Sequence, residues 1–134
     1  MTAALVDSNV LLDLMTEDPQ WLTWSAAALE QAADHLRLVI NPIGYAEVSV
    51  RYSRIEELEA ALPRTMLDRE PIPYEAAFLA GKALLIYRRR GGPKRSPLPD
   101  FFIGAHAAVS GYRLLTRDPA RYRSYFPKLS LIAP

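Results

Sequence analysis

Asp7, Glu47, Asp100 and Asp118 are the residues of this chain whose type and placement suit chemistry. Asp7 ends the apolar run Ala3-Ala4-Leu5-Val6. Glu47 lies inside Ile43-Gly44-Tyr45-Ala46-Glu47-Val48. Asp100 follows Pro97-Leu98-Pro99, and Asp118 follows Leu114-Leu115-Thr116-Arg117. Each acid stands in or beside an apolar element, where desolvating a lone carboxylate is costly. One such placement is an accident of packing; four point to a shared cation. Clustered carboxylates repel one another, and a hard divalent cation relieves the repulsion. The chain has no cysteine, and neither His35 nor His106 has ligand spacing, so both histidines read as structural. An oxygen-only donor set favours Mg²⁺ or Mn²⁺ over zinc.

Distant acids converge only if the elements between them bring them together. Residues 3–7 read as a buried strand, with Ser8 or Asn9 capping a helix over 10–15. Asp18-Pro19 predicts a helix start, Asp18 as N-cap and Pro19 first, running through 21–35. Residues 36–40 read as a buried parallel strand, after which Asn41-Pro42 starts the helix of Glu47. A further helix at 54–62 stops at Pro63, and 70–73 is extended. The clearest helix is 74–90, with Ala77, Phe78, Gly81, Leu84 and Leu85 on one stripe, stopped by Gly91-Gly92-Pro93. A loop over 92–99 precedes a helix at 100–110, ended by Gly111, and strands follow at 112–116 and 130–133. Strands alternating with helices predict an α/β fold, a three-layer sandwich with a short, mainly parallel central sheet. In such sheets ligands bind beyond the carboxyl ends of the strands. Asp7 and Asp118 fall just past predicted strand ends on that edge.

Bulk composition sets the frame. A chain of 134 residues, half of them apolar, predicts one domain with one real core, residues 1–134. The net charge of +1 announces no global affinity for nucleic acid, so any basic surface must be local. The lack of cysteine excludes disulfides and thiolate zinc sites and fits a reducing cytoplasm. No basic leader precedes an apolar stretch, and no run approaches the roughly 18 apolar residues of a membrane span.

Plainer readings stand beside each candidate. Asp7 and Asp100 suit helix N-caps, and Asp100 can be cap and ligand at once. Glu47 on a helix is ordinarily a solvated face, raised only by its company. Asp13 and the other acids read as surface, cap or pair residues. Arg88-Arg89-Arg90 suits the negative end of a helix dipole. Trp21 and Trp24 read as partly buried core, and Tyr45 and Tyr87 as packing.

Taken together these pieces resemble the PIN domain, and within it the VapC-type toxins of bacterial toxin–antitoxin pairs. The resemblance runs from residue 4 to about 127. It is carried by Leu5-Val6-Asp7-Ser8-Asn9-Val10-Leu11-Leu12, then Asn41-Pro42-Ile43-Gly44-Tyr45-Ala46-Glu47, then Leu98-Pro99-Asp100-Phe101-Phe102-Ile103-Gly104-Ala105-His106-Ala107. Leu114-Leu115-Thr116-Arg117-Asp118-Pro119, with Tyr122 and Phe126-Pro127, closes it. Ser8 stands where threonine is common, and the basic loop before Asp100 is longer than the family pattern. The resemblance implies a Mg²⁺- or Mn²⁺-dependent endoribonuclease. It maps the metal-site acids onto Asp7, Glu47, Asp100 and Asp118, and supporting polar positions onto Asn9 and Thr116. Asp7 and Asp100 are expected as the direct ligands, with Glu47 and Asp118 acting through water or a second ion. It also implies a small antitoxin partner and a homodimer, for which the apolar residues from Leu11 to Trp24 offer surface.

RNA must also be held. Arg88, Arg89, Arg90, Lys94 and Arg95 put five positive charges into eight residues just before Leu98-Pro99-Asp100, and Arg117 adjoins Asp118. Such cations suit a polyphosphate approaching carboxylates. Arg51, Arg54, Arg121 and Arg123 are less clear candidates. Two other functions compete: a non-catalytic RNA-binding or interaction module of the same fold, and an aspartyl-phosphate phosphatase or receiver-like domain. Against the last, Asn9 stands where the phosphatases need a second acid.

Overall fold

The computed structural model describes residues 3–62, 64–93 and 97–134. The chain runs β1 (Ala3–Val6), α1 (Ser8–Thr16), α2 (Leu22–His35), β2 (Arg37–Ile40), α3 (Pro42–Ser49) and α4 (Ile55–Ala61). It continues through β3 (Asp68–Arg69), α5 (Tyr74–Arg89), α6 (Leu98–Ser110), β4 (Arg113–Leu115), α7 (Ala120–Tyr125) and β5 (Leu131–Ile132). Among the described residues the strands form one sheet in the order β3-β2-β1-β4-β5, every pair parallel. This is the α/β fold expected of the alternation of strands and helices, with helices over both faces.

β1 is the centre of the sheet, and its four residues are fully buried. Strand alternation divides them between two cores. Ala3 and Leu5 meet α5 and α6 residues such as Ala80 and Phe101. Ala4 and Val6 meet α1 and α2 residues such as Val10 and Leu29. A polar residue anywhere in β1 would lie in apolar surroundings, so Asp7, the first residue past the strand, is where polarity begins. Among the described residues no helix is long and apolar enough to cross a membrane.

Several boundaries differ from expectation. Asp18 does accept hydrogen bonds from the backbone N–H of Gln20 and Trp21. It caps a turn, however, and α2 begins at Leu22, so Pro19 is not its first residue. The extended segment near 70 pairs with β2 two residues early, at Asp68–Arg69. α6 begins at Leu98, because proline is accepted in a first helical turn, so Asp100 sits inside that turn and is not the N-cap. α7, six residues long, is too short and polar to carry a helical period in the sequence. The face of α5 is also reversed. Ala76, Ala80, Ala83 and Tyr87 point inward, while Tyr74 (91%), Phe78 (68%), Leu85 (39%) and Ile86 (43%) are exposed. The small inward residues let α5 lie close on α6, and the bulky stripe is left outside. Leu11, Leu12, Leu14, Met15 and Trp24 pack on their own core, and among the described residues four of the exposed large apolar side chains lie on α5.

Candidate active site at the carboxyl edge of the sheet

Asp7 occupies the N-cap position of α1 in extended backbone, yet its side chain makes no capping hydrogen bond. The carboxylate is turned into the protein and is 5% exposed. Its Oδ2 receives Tyr122 Oη–H at 2.8 Å, Thr116 Oγ1–H at 3.0 Å and Asn9 Nδ2–H at 3.4 Å. Among the described residues no donor reaches Oδ1. Burial, above all, pushes the Asp7 carboxyl up to about 6. The Tyr122 and Thr116 hydrogen bonds pull it down, and the charges of Asp100 and Glu47 push it further up. Tyr122 is held far above its ordinary value by burial and then by the Asp7 charge, so it stays a hydroxyl donor.

Thr116 directly follows β4, the neighbour of β1, and is fully buried. While donating to Asp7, its oxygen accepts from Asn9 Nδ2 (3.2 Å) and from the Asp118 backbone N–H (3.1 Å). Asn9 Oδ1 in turn accepts the Arg117 N–H. One hydroxyl thus uses its donor and both lone pairs to orient Asp7. The supporting positions Asn9 and Thr116 are therefore placed against the central acid.

Glu47 is brought in by α3. Asn41 caps this helix, its Oδ1 accepting from Ile43 and Gly44 N–H at 3.0 Å each. Ser8 Oγ, on the first residue of α1, donates to Glu47 Oε1 at 3.0 Å. Burial raises the Glu47 carboxyl, the Ser8 bond opposes this, and the Asp100 charge adds to the rise. Asp100 lies in the first turn of α6, where the helix dipole favours a carboxylate. Its Oδ2 is 2.6 Å from Arg121 Nη1 on α7.

Asp7, Glu47 and Asp100 therefore sense one another's charge, while Asp118 joins the site through its backbone N–H on Thr116. Its side chain is 69% exposed and its Oδ2 pairs with Arg117 Nη1 at 3.2 Å. Arg117, expected at the RNA, is engaged within the protein. Its Nε instead holds the buried Asp13 at 2.8 Å, with Ser25 Oγ on the same oxygen, and its guanidinium lies over the Trp21 ring. Asp13 is thus a buried pair residue. Arg88 and Arg89 are exposed, and Arg90 lies over Tyr125 and donates to Ser124 Oγ. Lys94 and Arg95 lie outside the described residues. The acidic set fits a hard cation by donor chemistry: all oxygen, mutually repelling, with a buried carboxyl raised at its centre. Among the described residues, however, no three His, Cys, Asp or Glu side chains stand close enough to hold an ion together.

Reading the sequence missed the role of Tyr122 and of Arg121, adjacent residues of α7 that engage Asp7 and Asp100. Gly104 of α6 makes their approach possible. A Cβ there would fall 2.6 Å from the Phe126 ring and 3.1 Å from that of Tyr122.

Residues 4–126 match the PIN domain family. No curated protein sequence matches significantly. Among solved structures, the chain is similar to VapBC2 from Rickettsia felis bound to a DNA fragment from their promoter, at 18% identity over 98% of each chain, with a TM-score of 0.74. VapBC-1 from nontypeable Haemophilus influenzae gives 19% identity over 98% of each chain and the same TM-score of 0.74. A toxin–antitoxin complex from Klebsiella pneumoniae gives 21% identity over 97% of this chain and 96% of that one, with a TM-score of 0.65. At these identities the likeness is one of fold.

Proposed function

The chain belongs to the PIN domain family, and from that premise we propose that it is a metal-dependent endoribonuclease, the cytoplasmic toxin of a toxin–antitoxin pair. The observation that carries this reading is Asp7: a carboxylate buried at the end of the central strand, held on one oxygen by three donors and electrostatically joined to Glu47 and Asp100. A fold needs no such arrangement for stability, since a buried acid with a raised pKa costs stability at neutral pH. Sites that perturb acids in this way are ordinarily functional.

Asp7 and Asp100 would hold Mg²⁺ or Mn²⁺, with Glu47 and Asp118 beside it. When bound, such a cation makes water acidic enough to yield hydroxide near neutral pH and stabilises charge on phosphate oxygens. The chain's own residues do the positioning. Tyr122, Thr116 and Asn9 fix one Asp7 oxygen, and among the described residues the other receives no donor. Ser8 fixes Glu47. Arg88, Arg89 and Arg90, with Lys94 and Arg95, would draw the RNA backbone toward the acids. The complexes of similar fold pair a toxin with an antitoxin, and an antitoxin covering the acidic edge is the corresponding partner for this chain. A homodimer through the apolar outer face of α5 completes the reading.

The test is cleavage of total RNA by purified protein with Mn²⁺ and with EDTA, beside Asp7→Asn. Cleavage that needs the metal and disappears in the variant supports the reading. RNA binding without cleavage in either condition supports the non-catalytic module, which the Arg121–Asp100 ion pair and the spacing of the acids favour.

A further inference from the structure

One buried side-chain contact joins the helices that carry Glu47 and Asp100. Asn41 follows β2 and caps α3 through Oδ1, which fixes the orientation of its amide. Nδ2 therefore faces His106 Nδ1 on α6, 3.1 Å away. Both residues are nearly inaccessible, Asn41 at 2% and His106 at 1%. An amide nitrogen donates only, so His106 Nδ1 must be the acceptor and the ring proton must sit on Nε2. Nε2 points toward Glu70 Oε1 at 3.8 Å. Glu70 is itself held by Tyr112 Oη–H (2.8 and 3.0 Å) and Arg37 Nη1 (2.9 Å). The Asn41 bond thus fixes the tautomer of the His106 ring, with Glu70, just after strand β3, on the Nε2 side.

We propose that Asn41 and His106 form a positioning pair that sets the separation of Glu47 from Asp100, and so the shape of the site the cation and substrate meet. Neither residue touches the cation; they act through the two helices. Glu47 is carried by the helix that Asn41 starts, and Asp100 by the helix that bears His106. Among the described residues it is the side-chain hydrogen bond that links the cap of α3 to α6, and a directional bond sets distance more sharply than apolar packing does. A neutral imidazole is required. A proton on Nδ1 would set two donors against each other and force the Asn41 amide to release either His106 or the α3 cap. The groups facing the ring are Asn41, Glu70 and Tyr112, and burial lowers the His106 pKa against the Glu70 charge.

This inference deepens the ribonuclease reading, and its test separates the two. The variants are His106→Leu, which fills the space without the bond, and His106→Asn, which restores an acceptor toward Asn41. Asn41→Ser keeps a helix-capping oxygen but cannot reach His106. Crystal structures of parent and variants give the Glu47–Asp100 separation, and calorimetric titration gives Mn²⁺ affinity. His106→Leu and Asn41→Ser are expected to shift the separation by more than about 0.5 Å, the tolerance of a working site. They should weaken Mn²⁺ binding, by up to the roughly 10- to 100-fold lost when a direct orienting partner of a metal ligand is removed. His106→Asn should recover most of both. In RNA cleavage the loss should fall on kcat with KM little changed. If His106→Leu does not fold, Asn41→Ser carries the same measurements. A folded variant with the parent's separation and Mn²⁺ affinity overturns the proposal. Parent protein that cleaves no RNA overturns the ribonuclease reading alone, since the separation is still measurable.

Discussion

The hydroxyl of Tyr122 donates to Oδ2 of Asp7 at 2.8 Å, and it comes from the short helix that follows the central sheet's last inner strand. This bond favours the ionised acid against the burial that opposes it. Tyr122→Phe removes it without changing the ring. The expected result is a loss of about 1.5–3 kcal/mol at pH 8, the range for a hydrogen bond to a charged group, and weaker Mn²⁺ binding. Urea denaturation and metal titration check both. Unchanged values would mean that the hydroxyl is incidental.

Ionisation of Asp7 makes stability depend on pH. Its carboxyl lies at about 6 in the folded protein against an ordinary 3.8. Between those values the folded state holds more protons than the unfolded one. Metal-free stability therefore falls as pH rises through this window, by on the order of 3 kcal/mol from this group. His106 works in the opposite sense. Its value is lowered from 6.5, so its contribution is complete above 6.5 and is lost as pH falls through the lowered value. Denaturation midpoints at a series of pH values should show the decline in the parent and a weaker one in Asp7→Asn. Identical pH dependence in the two proteins would remove Asp7 as its source.

The acids should rank unequally. Asp7→Asn and Asp100→Asn are expected to abolish RNA cleavage with the fold intact, and Glu47→Gln to reduce it strongly. Asp118→Asn, exposed and paired with Arg117, should cost least. Rates from a defined RNA, with circular dichroism as the folding control, give the order. A loss in Asp118→Asn equal to that in Asp7→Asn would place Asp118 inside the site.

Metal binding should be visible in stability as well as in rate. At a hundredfold excess over Kd, Mn²⁺ bound only to the folded state should add roughly 2.7 kcal/mol. Asp100→Asn should gain nothing from Mn²⁺, whatever it loses in EDTA with the Arg121 ion pair. Equal stabilisation of parent and variant would mean that the acids do not share an ion.

Gly104→Ala tests the closeness of α6 to α7. The added methyl meets the Phe126 and Tyr122 rings, so a loss of about 1–3 kcal/mol is expected from overpacking. Mn²⁺ affinity should fall with it, because Tyr122 is pushed from Asp7. Destabilisation with unchanged affinity would show that Tyr122 keeps its place.

The parallel sheet and the positions of Asp7 and Glu47 were legible because apolar runs, caps and strand ends are local signals. Asn41 capping α3 is an instance: Asn-Pro announces it. What was not legible depends on partners far away. α7 reads Ala-Arg-Tyr-Arg-Ser-Tyr, too short for a period and too polar to look buried, yet Tyr122 is 2% exposed because Gly104 leaves room for it. The reversal of α5 has a similar cause. Periodicity finds the bulkiest stripe, but close contact with α6 selects the alanines. Arg117 adjoins Asp118 in sequence, and only the fold shows Asp13 within its reach.

Asp7 is made early, but the residues that complete its surroundings, Thr116 and Tyr122, lie 109 and 115 residues further along the chain. β1 also lacks its neighbour β4 until Leu115 has been added. At ribosomal speeds of about 5–20 residues per second, the acid exists for on the order of ten seconds before its partners do. A site wired in this way stays incomplete for nearly all of the chain's own synthesis.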